Sequence, residues 1–253
     1  MQQFIPANIK IIRIHSVSLR RVLNGYRFLH KRKWLMARRV LSIPVNVLIV
    51  LMVLAAWLIR SDGVFLSSTG LRNLRYFTVL SNLLCGLSSL VYVIALLCGK
   101  RKGNFGVSRP VWLLKYAGTV SVTLTLLTVL LFLGPVFGYS SMFQGANFWF
   151  HLIIPIVAIL CFCFFDEGNA LSFPESFVAA IPMLIYGAVY LCNILFNGVG
   201  EWPDSNDWYG FTTWGLPIGC VIFAVLIAIT WGAALVLRFV RIRLDRKPIH
   251  SGL

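Results

Sequence analysis

Long apolar runs separated by short polar stretches make up most of this chain. Each run holds about 17–25 residues, enough for an α-helix rising 1.5 Å per residue to cross about 30 Å of hydrocarbon. The runs cover residues 41–59, 76–98, 111–134, 149–165, 177–196 and 213–237. The pattern therefore predicts an all-α, polytopic membrane protein with six transmembrane helices.

Composition supports this fold class and excludes others. Hydrophobic residues make up 58% of the 253 residues and charged residues only 12%, whereas soluble domains carry about 25% charged residues. This balance excludes a soluble globular protein, a disordered chain and a small secreted domain held by disulfides.

Basic residues indicate which side of the membrane each loop occupies. The chain carries 23 Lys and Arg against 8 Asp and Glu, a net charge of +15. Three bases, Arg60, Arg72 and Arg75, are exceptions. All other bases lie before the first run, around the connection between the second and third runs (Lys100 to Lys115), or after the sixth run. Six crossings bring these segments to one side, which the positive-inside rule makes cytoplasmic. We therefore expect cytoplasmic N- and C-termini, a location in the cell membrane and no nucleic-acid partner.

The chain divides into three predicted regions. Residues 1–40 form a basic cytoplasmic or interfacial segment, residues 41–238 the transmembrane domain, and residues 239–253 a basic cytoplasmic tail. Residues 17–30 alternate apolar and basic positions at helical spacing, which is typical of a helix that lies among headgroups and attracts anionic lipid. A topology anchor without further function is the alternative.

Several kinds of chemistry are missing from the six runs. They contain no Asp or Glu, although proton- or sodium-coupled transporters usually place a carboxylate in the membrane. The acids Asp166, Glu167 and Glu175 follow the fourth run and are expected in a cytoplasmic loop. No metal-binding motif occurs, and no metal or organic cofactor is expected. The cysteines are interpreted as small apolar packing residues; they are Cys85, Cys98, Cys161, Cys163, Cys192 and Cys220.

Two polar positions near the ends of runs are candidates for function. His151 is the only histidine within a run and lies about three residues into the fourth. Thr78, Ser81 and Asn82 enter the membrane together at the start of the second run. The predicted topology places Thr78 and His151 in the outer leaflet at matching depth. Hydroxyls also follow two faces of the third run, where they either pack helices together or line a polar cavity.

A threonine hydroxyl needs a nearby base to act as a nucleophile at neutral pH, and histidine is the usual base. Thr78 and His151 could therefore form a two-residue acyl-transfer centre. A Thr–His or Asn–His contact between helices, without catalysis, is the alternative interpretation. Ser81 or Asn82 could donate to an oxyanion, and Asn147 or Asn193 could support the histidine.

At these positions the chain resembles the androgen-induced-protein-like membrane family, which includes hydrolases of fatty acid esters of hydroxy fatty acids. The resemblance covers roughly residues 70–240 and depends on Tyr76-Phe77-Thr78 and on His151 followed by Pro155. It implies a multi-span helical bundle and a lipid ester hydrolase with Thr78 as nucleophile, His151 as base and an acyl ester among membrane lipids as substrate. A non-catalytic lipid-binding or small-solute transport protein is the main alternative, and a structural subunit of a membrane complex is another.

Overall fold

The computed structural model describes residues 38, 40–101, 106–201 and 204–246. Within these ranges the chain forms helices and no strand, so the all-α prediction is confirmed there. Most of the basic segment, including the predicted surface helix at residues 17–30, lies outside the described residues, as does the end of the basic tail.

Nine helices lie within the described residues and are numbered in chain order. Five of them, α1, α3, α4, α6 and α9, are long and apolar enough to cross a membrane, and the chain is therefore an integral multi-pass membrane protein. The apolar α8 has 17 residues and is shorter than these five. The helices are α1 Val40–Arg60, α2 Ser68–Asn73, α3 Phe77–Arg101, α4 Arg109–Phe137, α5 Tyr139–Met142, α6 Ala146–Phe165, α7 Glu175–Val178, α8 Ile181–Asn197 and α9 Leu216–Arg246.

Helix α4 occupies the centre of the bundle. Its residues 115–126 are all buried, because α3, α6, α8 and α9 pack around it. A glycine allows the closest of these contacts: a Cβ on Gly118 would lie 2.5 Å from Ser88 Oγ and 3.2 Å from Cys85 Cα. Small residues commonly let membrane helices approach in this way.

Two of the long helices contain widened turns in which the backbone bonds span five residues rather than four. These turns are Val129–Leu133 in α4, and Trp149–Ile153 and Cys161–Phe165 in α6. The first two are each followed two positions later by a proline, Pro135 or Pro155. Proline lacks the N–H that would bond to the carbonyl four residues earlier, so the regular bonding pattern cannot continue through it. Such widened turns are frequent at functional sites.

The loops gather at the two ends of the bundle, which we call the Thr78 end and the Asp166 end. At the Thr78 end, Arg60 Nη1 donates to Asn147 Oδ1 at 2.6 Å, joining α1 to α6. At the opposite Asp166 end, Arg109 pairs with Glu175, which joins α4 to α7. Polar contacts therefore link neighbouring helices at both ends.

Candidate active site

Thr78 is the second residue of α3 and is partly buried. Its backbone carbonyl accepts hydrogen bonds from Ser81 Oγ at 3.0 Å and Asn82 Nδ2 at 2.7 Å. The start of α3 is held by Tyr209, whose hydroxyl accepts from the Phe77 N–H at 3.0 Å. Within the described ranges, the Thr78 hydroxyl makes no hydrogen bond, so it is not committed to a structural contact.

His151 lies in the first widened turn of α6 and is 7% exposed. Its Nδ1 is 2.7 Å from the carbonyl oxygen of Met142. Because a carbonyl can only accept, Nδ1 carries the proton, and a neutral imidazole then has its lone pair on Nε2. The ring is therefore oriented as a base would be, with a backbone carbonyl in the place that an acid often takes.

Asn82 joins the two helices that carry Thr78 and His151. Its fully buried side chain donates from Nδ2 to the carbonyl of Thr78 and, at 3.1 Å, to the carbonyl of Phe150. Phe150 directly precedes His151, so α3 and α6 are in contact at the depth of both candidate residues. No hydrogen bond links the Thr78 and His151 side chains in the part of the chain that the structure describes.

The predicted supporting residues make contacts of their own. The Ser81 hydroxyl is 2.9 Å from Thr125 Oγ1, and the Asn82 amide is bound to two carbonyls, so both hold helices together. Asn147 accepts from Arg60 rather than contacting His151 through a hydrogen bond. Asn193, in α8, donates to Asn206 Oδ1 at 3.0 Å and so binds the loop that comes after this helix.

An apolar cavity of about 190 Å³ lies beside this site, between α3, α4 and α8. Phe77 and Ser81, which lie one residue before and three residues after Thr78, contribute to its wall, whereas Thr78 and His151 do not. Ser121 also lines the cavity, and its hydroxyl bonds the Ala117 carbonyl at 2.8 Å. The remaining lining residues are Leu80, Leu84, Pro182, Ile185, Tyr186 and Val189.

At the other end of the bundle, the structure contains a buried ion pair that the sequence pattern does not predict. The charge pattern groups Lys115 with the cytoplasmic bases and Asp166 with the acids of a cytoplasmic loop, but both side chains are 0% exposed. Lys115 Nζ lies 3.7 Å from Asp166 Oδ2 and donates to Ser89 Oγ at 2.8 Å. The available signal is the position of Lys115 inside the third apolar run, because ionisable residues within the membrane are usually paired and functional.

Three side chains surround the other oxygen of Asp166. Ser42 Oγ and Asn46 Nδ2 each donate to Oδ1 at 2.7 Å, and Cys161 Sγ lies 3.3 Å from it. Cys161 is packed in the buried core, as predicted, and its thiol is in addition a neighbour of this carboxylate. The arrangement fixes the end of α6 against α1, because Ser42 and Asn46 lie one turn apart on α1.

Two arginines complete this end of the bundle. Arg38 Nε donates to the Phe164 carbonyl at 2.6 Å, and Arg241 Nη1 donates to the Phe162 carbonyl at 3.1 Å. Asp245 lies 3.2 Å from both guanidinium groups. The arginines thus satisfy carbonyls left open at the C-terminus of α6, where positive charge is favourable. No group of three or more His, Cys, Asp or Glu that could hold a metal ion occurs among the described residues.

Comparison of the chain with models of protein families, with curated proteins and with solved structures finds no match.

Proposed function

We propose that this chain is an intramembrane lipid ester hydrolase with Thr78 as nucleophile and His151 as general base. The observation that carries the proposal is the hydrogen bond between His151 Nδ1 and the Met142 carbonyl, which leaves the Nε2 lone pair for a proton. The uncommitted hydroxyl of Thr78 and the Asn82 contact between α3 and α6 support the assignment.

The reaction is a consequence of these roles. Thr78 Oγ1 attacks the ester carbonyl while its proton passes to His151 Nε2, and the imidazolium then gives that proton to the leaving alcohol. A water molecule, deprotonated by the same nitrogen, releases the fatty acid from the acyl-threonine. The apolar cavity beside Phe77 and Ser81 has the chemistry required for part of an acyl chain.

Labelling and cleavage by matched variants test the proposal. A fluorophosphonate probe and a lipid ester substrate should react with the wild type and with Thr78→Ser, which keeps a hydroxyl. Thr78→Val, which keeps the shape and loses the hydroxyl, and His151→Ala should both lose activity. The Thr78→Val/His151→Ala double variant should be no worse than either single variant, because residues of one catalytic unit do not add. Thr230→Ala in α9 is the control.

A lipid-binding protein without catalysis is the second candidate. It is favoured by the fact that Thr78 and His151 do not line the apolar cavity. Retained binding of a lipid ester, together with equal probe labelling of wild type and Thr78→Val, would select this candidate over the hydrolase.

We further propose that α8 crosses the membrane as a sixth span and that the Thr78 end faces outward from the cell. Seventeen residues span about 26 Å, which a slightly thinned bilayer accommodates. Single cysteines at positions 102 and 247 should then react with a membrane-impermeant reagent only from the cytoplasm. A cysteine at position 204 should react only from outside, and labelling of 102 and 204 from the same side would reject this topology.

A further inference from the structure

Two arginines flank one tyrosine at the Thr78 end. The guanidinium carbons of Arg60 and Arg75 lie 5.7 Å and 5.0 Å from the centroid of the Tyr76 ring. The guanidinium carbon of Arg75 also lies 5.9 Å from the ring centroid of Trp208. Aromatic faces attract cations, but they leave the positive charge unneutralised. Both positive charges therefore lie against the same aromatic ring.

Neither charge is balanced by an acid. All eight Asp and Glu side chains of the protein lie within the described ranges, and no ion pair there joins one of them to Arg60 or Arg75. The hydrogen bonds that these guanidinium groups make go to neutral atoms, from Arg60 to Asn147 Oδ1 at 2.6 Å and from Arg75 to the Tyr76 hydroxyl at 2.9 Å.

Each of these arginines also keeps one unused donor. The Nε atoms of Arg60 and Arg75 are buried and have no hydrogen-bond partner in the described part of the protein. A buried donor left without a partner is costly, and an acceptor from outside the chain that reached these two donors would remove that cost. The neighbouring Arg72 differs, since it is exposed and pairs with Asp204 at 2.9 Å.

The position of the pair relates it to the candidate active site. Arg75 precedes Thr78 by three residues, and Arg60 is bound to Asn147, which precedes His151 by one helical turn. The Arg60 side chain therefore lies about 5 Å closer to the end of the bundle than His151, and Arg75 lies in the turn that leads into α3, just before Thr78. An anion held there would lie about one turn above an ester held at Thr78.

We propose that Arg60 and Arg75 bind the phosphate of a membrane glycerophospholipid. Guanidinium groups suit phosphate because they donate two parallel, charge-assisted hydrogen bonds. In a glycerophospholipid the ester carbonyls lie only a few bonds from the phosphate, which agrees with the one-turn offset. A fatty acid carboxylate is separated from an ester along its chain by many methylene groups and fits this offset less well. The substrate class assigned in this way rests on the proposed hydrolase function, whereas phosphate binding does not.

Binding is measured on the full-length protein carrying Thr78→Val, so that turnover does not interfere. A fluorescent phosphatidylglycerol bound to the protein in neutral detergent is displaced by unlabelled phosphatidylglycerol, by diacylglycerol with the same acyl chains, or by inorganic phosphate. Phosphatidylglycerol should displace it at a concentration at least about tenfold lower than diacylglycerol. Arg60→Gln and Arg75→Gln should each weaken phosphatidylglycerol binding about tenfold, as expected for loss of a charge-assisted hydrogen bond.

Arg72→Gln is the matched control and should change binding less than about twofold, because its partner is Asp204 on an exposed surface. This control also accounts for the basic residues before α1, which attract anionic lipid in every variant. Arg60→Lys and Arg75→Lys keep the charge and lose the paired donors, so they should bind phosphatidylglycerol more weakly than the protein with both arginines. They replace the Gln variants in this test if a Gln variant fails to fold.

Three results would overturn the inference. The first is displacement of the fluorescent lipid by diacylglycerol at the same concentration as by phosphatidylglycerol. The second is a loss of phosphatidylglycerol binding in Arg72→Gln as large as in Arg60→Gln and Arg75→Gln. The third is displacement by inorganic phosphate as effective as by phosphatidylglycerol, which would indicate a free-anion site. Arginine-dependent phospholipid binding without ester cleavage by the wild type would instead reject the hydrolase function and leave the binding site in place.

Discussion

Removing one partner of the buried pair at the Asp166 end should destabilise the protein strongly, because the other charge is then buried alone. Asp166→Asn removes the counter-charge of the Lys115 ammonium, and Lys115→Met removes the nearest ammonium from the Asp166 carboxylate. Both side chains are 0% exposed, so water cannot replace the missing partner. We expect each single substitution to lower the free energy of unfolding by about 3–5 kcal/mol.

The distance between the two charges sets the size of their coupling. Unit charges 3.7 Å apart attract by about 4–5 kcal/mol at an effective dielectric constant near 20. Much of this attraction offsets the cost of taking two charges out of water. The Lys115→Met/Asp166→Asn double variant removes both charges and keeps an acceptor for Ser42 and Asn46, so it should be no less stable than the worse single variant.

A double-mutant cycle with an exposed pair provides the control. Arg72 and Asp204 are 2.9 Å apart but 59% and 69% exposed, and such pairs contribute about 0–1 kcal/mol. Unfolding in mixed micelles with increasing SDS, followed by far-ultraviolet circular dichroism, gives the four free energies of each cycle. Additive effects of Lys115→Met and Asp166→Asn, or single effects no larger than those at Arg72 and Asp204, would refute the reasoning.

Three further predictions concern other parts of the fold. Gly118→Val should cost about 1–3 kcal/mol in the same unfolding assay and more than Gly118→Ala, because the added methyl groups meet Ser88 on α3. The Arg109 guanidinium lowers the pKa of Glu175 from 4.5 to about 2. The stability advantage of wild type over Glu175→Gln should therefore be complete above about pH 4.5 and should shrink as the pH falls toward 2. An advantage that does not change with pH would contradict this. Tyr209→Phe leaves the first N–H of α3 without its acceptor and should cost about 1–3 kcal/mol, with faster hydrogen exchange at that amide.

The membrane-crossing helices are the most predictable part of the fold. The expected first span, residues 41–59, agrees closely with α1, Val40–Arg60, because hydrocarbon thickness sets the length of an apolar run. The predicted starts of the last two helices, residues 177 and 213, are too early. Helices α8 and α9 both begin one residue before a proline, Pro182 or Pro217, which suits the first turn of a helix.

The candidate site is less completely predictable. The order of the runs places Thr78 and His151 at one end of the bundle, because depth follows from residue count along each helix. The orientation of the histidine could not be predicted, since it depends on a carbonyl nine residues earlier and on a widened turn in α6. The contacts of Asp166 could not be predicted because this acid lies just beyond an apolar run, and only tertiary packing shows that it is buried.

The two polar centres are connected through α6. His151 lies near the start of this helix and Asp166 directly after its last residue, about 22 Å apart by helical rise. A membrane helix gains little from burial of apolar surface, because lipid is as apolar as its neighbours, so specific packing and polar contacts must fix its position. Asp166 supplies such contacts to α1 and α4, and Asn82 supplies them to α3 at the other end. The proposed base is therefore carried by a helix that polar contacts hold at both ends, which limits the sliding that would move His151 away from Thr78.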